Sequence, residues 1–461
     1  MVEIKKHWRE EFLPALLVAL AFCAGMVGIF YPGFMTFDSS LGLWLARHGE
    51  GFGMTPQIVT LVWRLLLPLD PSSGAPLFVL NHIFFWLSLC IFAVTLFRTW
   101  YAQILFLIFC GLLSPCVLIL AHVWGDAMLI GVLSLACALM FLSAMGHGKW
   151  WAVLALPFLL LVGLVRFNAL PALLPIICYW GYLTLAGSLK NRRLSARYVV
   201  LLVVAAAFLA GIFTVNRALE KRFVTISMSA WAVVALWDLA AVSLATGEML
   251  IPSFARPSTT TLKDLQKHFR EDANTTIYAV VYDNGNPQPY TSAQLKRINK
   301  ALLAAIIAHP KAYFEHRWRL TRYLFGRYGH EKSLVSYAGI IPYGDNPPRA
   351  LPENVLRDKA VGFYQGAVKT WWSAPIVYVV ASLVLLPLLW RQRSSEQSKY
   401  ALVLALSGLL YAASLCLTAP SAELRYFSWL FFTAPVGVAV FISMVKQRHC
   451  PAVQREDGNL V

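Results

Sequence analysis

Ten apolar stretches of roughly 20 residues each recur along the chain, at 13–31, 75–96, 102–121, 128–144, 150–165, 169–186, 198–215, 372–390, 401–417 and 427–445. A bilayer hydrocarbon core about 30 Å thick takes about 20 apolar residues in helical form, and a helix meets its own backbone hydrogen-bond needs inside lipid. The pattern therefore predicts an all-α integral membrane protein with about ten transmembrane helices. Composition agrees: 58% of the 461 residues are hydrophobic and 13% are charged, about half the charge of a water-soluble domain. Sparse cysteine excludes a disulfide scaffold, and high apolar content excludes disorder.

Lys and Arg number 39 against 23 Asp and Glu, a net charge of +16. In a soluble protein this would suggest nucleic acid, but in a membrane protein it reports orientation. The first stretch follows Lys5, Lys6 and Arg9 like a signal peptide. No small-residue cleavage site follows, and Tyr31-Pro32-Gly33 ends it, so it reads as a retained helix. Alternate loops carry Arg98; Lys149; Lys190, Arg192, Arg193 and Arg197; and Arg391, Arg393 and Lys399, while the tail carries Lys446, Arg448 and Arg455. By the positive-inside rule these mark the cytoplasm. The expected organisation is a seven-span module at 1–215 with a first external loop at 32–74, and a mainly helical extracytoplasmic insertion at 216–371. A three-span module at 372–445 and a tail at 446–461 follow, with both termini cytoplasmic. The insertion holds 20 basic and 12 acidic residues, and long loops translocate largely regardless of charge. Seven cysteines lie in apolar stretches and Cys450 in the tail, so packing alone must hold the insertion.

Polar residues converge on the external side. Asp38 and Ser39 in the first loop are placed to cap a short helix laid on the membrane by Leu41, Trp44 and Leu45. The stretch 56–69 is too short to span and reads as interfacial or re-entrant. Trp124-Gly125-Asp126 starts the fourth span, where a carboxylate also suits the helix dipole. Arg166 and Asn168 lie between spans five and six, and snorkelling accounts for the arginine but not the amide. Glu423, Arg425 and Tyr426 form the last outward turn, readable as an exposed ion pair beside an interfacial aromatic.

Within the insertion, 227–250 is apolar but carries Trp237-Asp238 at its middle. A charge at a span centre costs about 2.5–3.5 kcal/mol, which favours an interfacial or site-lining helix over an eleventh span. Residues 252–289 read as irregular, with a turn at Asn284-Gly285, and 291–326 as two helices divided at His309-Pro310. The second interleaves aromatics with His316, Arg317, Arg319 and Arg322, a composition suited to anchoring on lipid phosphates.

Taken as a set, Pro-Gly-(x)4-Asp-Ser, Thr-Pro, Trp-Gly-Asp, Arg-Phe-Asn, Trp-Asp-Leu, the His-Pro-Lys-Ala-Tyr-(x)2-His-Arg helix and Glu-Leu-Arg-Tyr resemble, in order and sidedness, bacterial polytopic glycosyltransferases of the GT-C type. The nearest pattern is a poorly characterised branch whose members often have Lys-Asp where this chain has Gly125-Asp126. The resemblance runs over most of the chain. It implies a GT-C-like fold in the bacterial cytoplasmic (inner) membrane and a sugar donor linked to polyprenyl phosphate. The acceptor would be an extracytoplasmic glycan, lipid or protein. Asp38 is carried over as catalytic and Asp126 as a second acidic residue near the site.

Such chemistry needs a carboxylate to deprotonate the acceptor hydroxyl and cations to stabilise the departing lipid phosphate. Asp38 and Asp126 are the catalytic candidates, and Arg166 and Arg425 the donor-phosphate candidates. Ser39, Trp124, Asn168, Trp237, Asp238, His316, Arg317, Glu423 and Tyr426 are expected to line the site. No cofactor is required by the sequence; Mg or Mn would suit carboxylates and water, but no ligand spacing demands one. The expectation is a hexosyl or pentosyl transferase of the cell envelope whose partners are the lipid-linked sugar, its acceptor and the bilayer, not nucleic acid. Two other readings remain: a polymerase or ligase of lipid-linked glycan, and a non-enzymatic transporter of a lipid-linked substrate. The latter would favour inverted repeats, which the hydropathy pattern does not display.

Overall fold

The computed structural model describes residues 2–112, 115–189, 193–282, 284–326 and 337–449. Lys190, Arg192, Cys450 and Arg455 lie outside them. The helices are, in order, α1 (Val2–Phe30), α2 (Phe37–His48), α3 (Gln57–Leu66), α4 (Ala75–Leu96), α5 (Trp100–Leu107), α6 (Cys116–Leu120), α7 (Gly125–Ala144), α8 (Trp150–Val165), α9 (Leu170–Leu189) and α10 (Leu194–Phe223). There follow α11 (Ala230–Thr246), α12 (Leu262–His268), α13 (Tyr278–Val281), α14 (Ser292–Ala308), α15 (Pro310–Leu324), α16 (Val355–Val368), α17 (Pro375–Trp390), α18 (Glu396–Thr418) and α19 (Ser428–His449). Among the described residues, extended pairing is confined to isolated bridges.

The protein is a multi-pass helical membrane protein. Among the described residues, six segments are long and apolar enough to cross a bilayer: Phe12–Phe30, Ala75–Leu96, Gly125–Ala144, Leu194–Phe223, Glu396–Thr418 and Leu424–Gln447. The other four expected stretches form shorter apolar helices. The stretch 102–121 is not one helix: α5 passes into a π-helical turn at Ile108–Leu112, and α6 starts afresh after Pro115. Proline brings no N–H to a continuing helix, and at Gly111 a Cβ would meet the Trp86 ring at 2.5 Å. The helix expected to end at 215 runs on to Phe223, with Asn216 Nδ2 donating to Glu220 Oε1 at 2.7 Å and Lys221 and Arg222 in its last turn, where cations suit the dipole.

The apolar windows of α7, α19 and α4 are 89, 78 and 72% buried, against 11% for α10. The first three therefore form the centre and α10 the rim. Lipid offers no hydrophobic drive between apolar helices, so close packing and polar ties decide the arrangement. Tyr400 Oη donates to Cys137 O at 2.6 Å, Trp429 Nε1 to Ser407 Oγ at 2.8 Å, Ser407 Oγ to Ala172 O at 2.7 Å and Ser443 Oγ to Leu96 O at 2.8 Å. The seven described cysteines are free thiols.

The segment 227–250 holds one 17-residue helix, α11, capped by Ser229 and buried against α12, α14 and α15. It is the core of the insertion rather than a membrane-facing rod. Capping boxes at Thr261/Asp264 and Thr291/Gln294 start α12 and α14. Pro310 opens α15 as the sequence predicts, and Gly285 takes the positive φ (66°) of the expected turn.

The tight α4–α7 contact generates a prediction. A Cβ on Gly131 would lie 2.9 Å from the Asn81 carbonyl oxygen, whereas one on Gly25 of α1 meets nothing within 4 Å. Gly131→Leu should cost about 1–3 kcal/mol through overpacking and lower the thermal unfolding midpoint in detergent, with Gly25→Leu leaving it near wild type.

Candidate functional site

The site begins with two residues that pair on both sides. Phe34 N donates to Ala121 O at 2.8 Å, Val123 N to Phe34 O at 2.9 Å, Met35 N to Gly339 O at 2.9 Å and Ile341 N to Met35 O at 2.9 Å. These bonds bring the start of α2 beside the start of α7. Ser39 and Ser40 tighten the junction, their hydroxyls donating to Val123 O at 2.7 Å and Ile341 O at 2.6 Å.

The expectation that Asp38 and Ser39 cap α2 is corrected. The N-cap residue is Thr36, whose hydroxyl accepts from Trp124 Nε1 at 2.8 Å. Asp38 stands one position inside the helix, so its carboxylate is not spent on backbone N–H groups. It meets Arg425 instead, with Nη1 donating to Asp38 Oδ2 at 3.1 Å, and its side chain stays 62% exposed. Asp126 likewise lies inside the first turn of α7 after the N-cap Trp124, fully buried, and takes a hydrogen bond from Arg166 Nη2.

Arg425 links these carboxylates. Its Nε lies 2.5 Å from Glu423 Oε2 and 3.9 Å from Asp126 Oδ2, and its guanidinium lies 4.8 Å above the Trp124 ring and 5.6 Å from that of Tyr426. Arg166 lies 5.8 Å from the same Tyr426 ring. Asp38, Ser39, Trp124, Asp126, Arg166, Glu423, Arg425 and Tyr426 thus come together from four stretches of chain. Glu423 and Arg425 are not the exposed pair the sequence suggests, since the arginine side chain is 12% exposed. Asn168 flanks the cluster: its backbone carbonyl accepts from Ser414 Oγ at 3.4 Å and its side chain meets Tyr411, which lies within electrostatic reach of Asp126 and Arg166.

Two neighbours escape sequence reasoning. His122 is fully buried, stacks on Trp124 at 3.9 Å and is held by Leu118 O at 2.7 Å from Nδ1. Burial pushes its imidazole down to about 4. Tyr278 is pushed up to about 12 by burial, with the Asp38 charge adding to the effect. His122 lies beside the Trp-Gly-Asp motif and carries a local signal, whereas Tyr278 is brought in only by the tertiary fold.

Trp237, Asp238, His316 and Arg317 do not line this cluster; that expectation is corrected. Arg317 Nη2 donates to Asp238 Oδ2 at 2.5 Å, His316 Nε2 lies 3.2 Å from Asp238 Oδ1, and Trp237 Nε1 donates to Arg270 O at 3.1 Å. All four side chains are buried, with the Asp238–Arg317 pair at the centre and Trp237 bonded outward to Arg270. Glu271 closes the group through Arg319 at 2.8 Å and His316 at 3.6 Å. Its carboxyl is partly buried, which works against ionisation, but bonds from His316 and Arg319 outweigh this and hold it below the usual range.

This second cluster acts on the first through the backbone. Arg317 Nη1 donates to Ala419 O at 2.9 Å, Ala422 N to Asp272 O at 2.8 Å, and Ala273 and Ser421 form an antiparallel bridge. Ser421 Oγ then donates to Glu423 Oε1 at 2.9 Å. The insertion thereby fixes the turn that carries Glu423 and Arg425.

Three carboxylates and two guanidiniums can bind a hydroxyl and an anionic group side by side. No group of three or more His, Cys, Asp or Glu among the described residues is arranged to hold a metal ion; Arg425 occupies the space between the carboxylates. A cavity of about 400 Å³ lined by Ala144, Met145, Ser395 and Glu396 lies at the opposite end of α7, about 30 Å away for a helix of 20 residues. The charge cluster is separate from it. Comparison with protein-family models, with curated proteins and with solved structures finds no match to this chain.

Removing one partner of a buried ion pair strands the other, at about 3–5 kcal/mol, whereas replacing both by apolar residues is often neutral. Arg317→Met should therefore lower the thermal unfolding midpoint sharply, and Asp238→Leu with Arg317→Met should recover most of the loss.

For His122, the folded value of about 4 lies below the unfolded 6.5, so protons favour the unfolded chain. Its share of stability, roughly 3 kcal/mol for such a shift, is present above pH 6.5 and is lost as pH falls towards 4. Unfolding midpoints of wild type and His122→Gln measured across that window should converge at the acid end.

Proposed function

We propose that the protein is a membrane glycosyltransferase that moves a sugar from a polyprenyl-phosphate donor to a hydroxyl acceptor on the extracytoplasmic side of the bacterial inner membrane. In this reading ten spans place both termini in the cytoplasm, and the ends of α1, α6 and α8 with the starts of α2, α7 and α19 face outward. The observation that carries it is an exposed carboxylate, Asp38, standing over a largely buried pair of arginines at the ends of helices that cross the membrane. A water-exposed base beside sheltered cations at that depth suits a reaction between a soluble hydroxyl and a phosphate carried on a lipid.

Asp38 takes the proton of the acceptor hydroxyl as its oxygen bonds to the anomeric carbon. The bond from that carbon to the phosphate oxygen breaks, and polyprenyl phosphate leaves. Guanidinium groups stabilise the charge that grows on the leaving phosphate. Arg166 commits Nη2 to Asp126 and keeps a quarter of its side chain exposed. Arg425 commits Nε and Nη1 to carboxylates. A guanidinium carries five N–H donors, so both have donors beyond these. Asp126 is fully buried and acts by orienting Arg166 rather than by touching the acceptor. A side chain at position 125 would begin 3.9 Å from Arg166 Nε, so Arg166 occupies the neighbourhood that the related Lys-Asp motif would fill with lysine. This supports Arg166 as the phosphate contact.

A general base contributes about 10²–10⁴-fold. Asp38→Asn should lower transfer from a radiolabelled polyprenyl-phosphate sugar by at least about 100-fold. It should leave the unfolding midpoint near wild type, because Asp38 is itself largely exposed and Arg425 keeps Glu423 at 2.5 Å as a partner. Full transfer by the purified variant would sink the mechanism. Mass spectrometry of surface polysaccharide, lipid A and membrane proteins from a deletion strain would identify the sugar and acceptor to use.

A further inference from the structure

The sequence leads one to expect the arginines of α15 on lipid phosphates, yet Arg317 is buried and Arg319 is bound to Glu271. What the C-terminal half of α14 and the middle of α15 present outward is four large apolar side chains. Leu303 and Ile307 on α14 are 58 and 71% exposed, and Phe314 and Trp318 on α15 are 57 and 61% exposed. Positions 296, 300, 303 and 307 follow one helical face, as do 311, 314 and 318. Each face begins with lysine, Lys296 and Lys300 on α14 and Lys311 on α15, and continues with the large apolar side chains. Lys311 also reaches Glu315, at 3.8 Å. The opposite faces, with Ile298, Leu302 and Ala305 and with Tyr313, His316, Arg317 and Leu320, are buried in the insertion.

The chain places this surface close to the bilayer. The membrane-crossing helix α10 ends at Phe223, and Thr225 and Ile226 are bonded at once to Gly51 O, both at 3.0 Å. Trp231, at the start of α11, is itself 45% exposed and donates to Asn299 Oδ1 on α14 at 2.9 Å. One short loop therefore separates the end of α10 from the bond that fixes α14.

We infer that the outward face of α14–α15 is seated in the headgroup region of the protein's own membrane. Leu303, Ile307, Phe314 and Trp318 enter the acyl boundary, and Lys300 and Lys311 lie among the lipid phosphates. Aliphatic and tryptophan side chains flanked by lysine fit that layer, where an amphipathic helix buries its apolar face and keeps its cations at the headgroups. The insertion is thus tethered at a second point, away from α10. This inference does not depend on the transferase reading.

The test uses full-length Ile307→Cys and Phe314→Cys proteins, each labelled with an environment-sensitive NBD fluorophore. They are reconstituted into vesicles of phosphatidylcholine and phosphatidylglycerol. Lys263→Cys, on the exposed side of α12, is the water-facing control, and wild type taken through the same labelling sets the background. The expected result is blue-shifted emission at 307 and 314 with loss of intensity when lipids carrying a shallow spin label are included, and neither effect at 263. Two positions on different helices guard against a variant that fails to fold. Water-like emission at both, matching 263, would overturn the inference. So would a blue shift insensitive to the spin-labelled lipid but dependent on protein density, since a second copy would then cover the face.

Discussion

One guanidinium, that of Arg425, joins parts of the chain that are 387 residues apart. It contacts Asp38 from α2 and Glu423 from its own turn, and Asp126 from α7 lies within ionic reach. A charge sheltered at the end of a helical bundle is tolerable only when paired, and Arg425 is supplied with carboxylates from three parts of the chain. The bonds of residues 34–35, the hydroxyls of Ser39 and Ser40, and the packing of His122 on Trp124 all serve to bring those partners within reach. The arrangement costs the structure several buried polar groups, among them Asp126 and His122.

The apolar part of this fold was plain in the sequence because hydropathy is local. Ala75–Leu96 can be read from its composition alone, whereas hydropathy reads 102–121 as one span and passes over the break at Pro115. The side-chain cluster was legible as a set of motifs at span ends, since polar residues there need a reason. Which of them meet was not legible. Asp38 reads locally as a cap, and only the Trp124–Thr36 bond shows that the cap lies elsewhere. Trp237, Asp238, His316 and Arg317 carry the same residue types as a reactive site, but burial turns them into a structural knot. Tyr278 and the bridge between Ala273 and Ser421 depend on contacts distant in sequence, for which no local pattern exists.

The two clusters divide the work that a membrane site imposes. The inner one keeps Asp238 and Arg317 out of solvent, with Glu271 and Arg319 at its rim, and acts through the carbonyl of Ala419. The outer one leaves Asp38 in water and sets its arginines just beneath. In the proposed transferase, rigid support behind and access in front would hold a hydroxyl and an anion in register.

The bridge between Ala273 and Ser421 also bears on how the protein is made. A chain emerges from its N-terminus, so α11 to α15 exist long before residues 419–423 do. Arg317 Nη1 and the backbone at 272–273 must wait for a segment that arrives only with the last two helices. The C-terminal hairpin is accordingly the final piece of both clusters, and a nascent or truncated chain that has inserted its earlier helices still lacks Arg425. Assembly order thus keeps the charge cluster open until the whole protein is in the membrane.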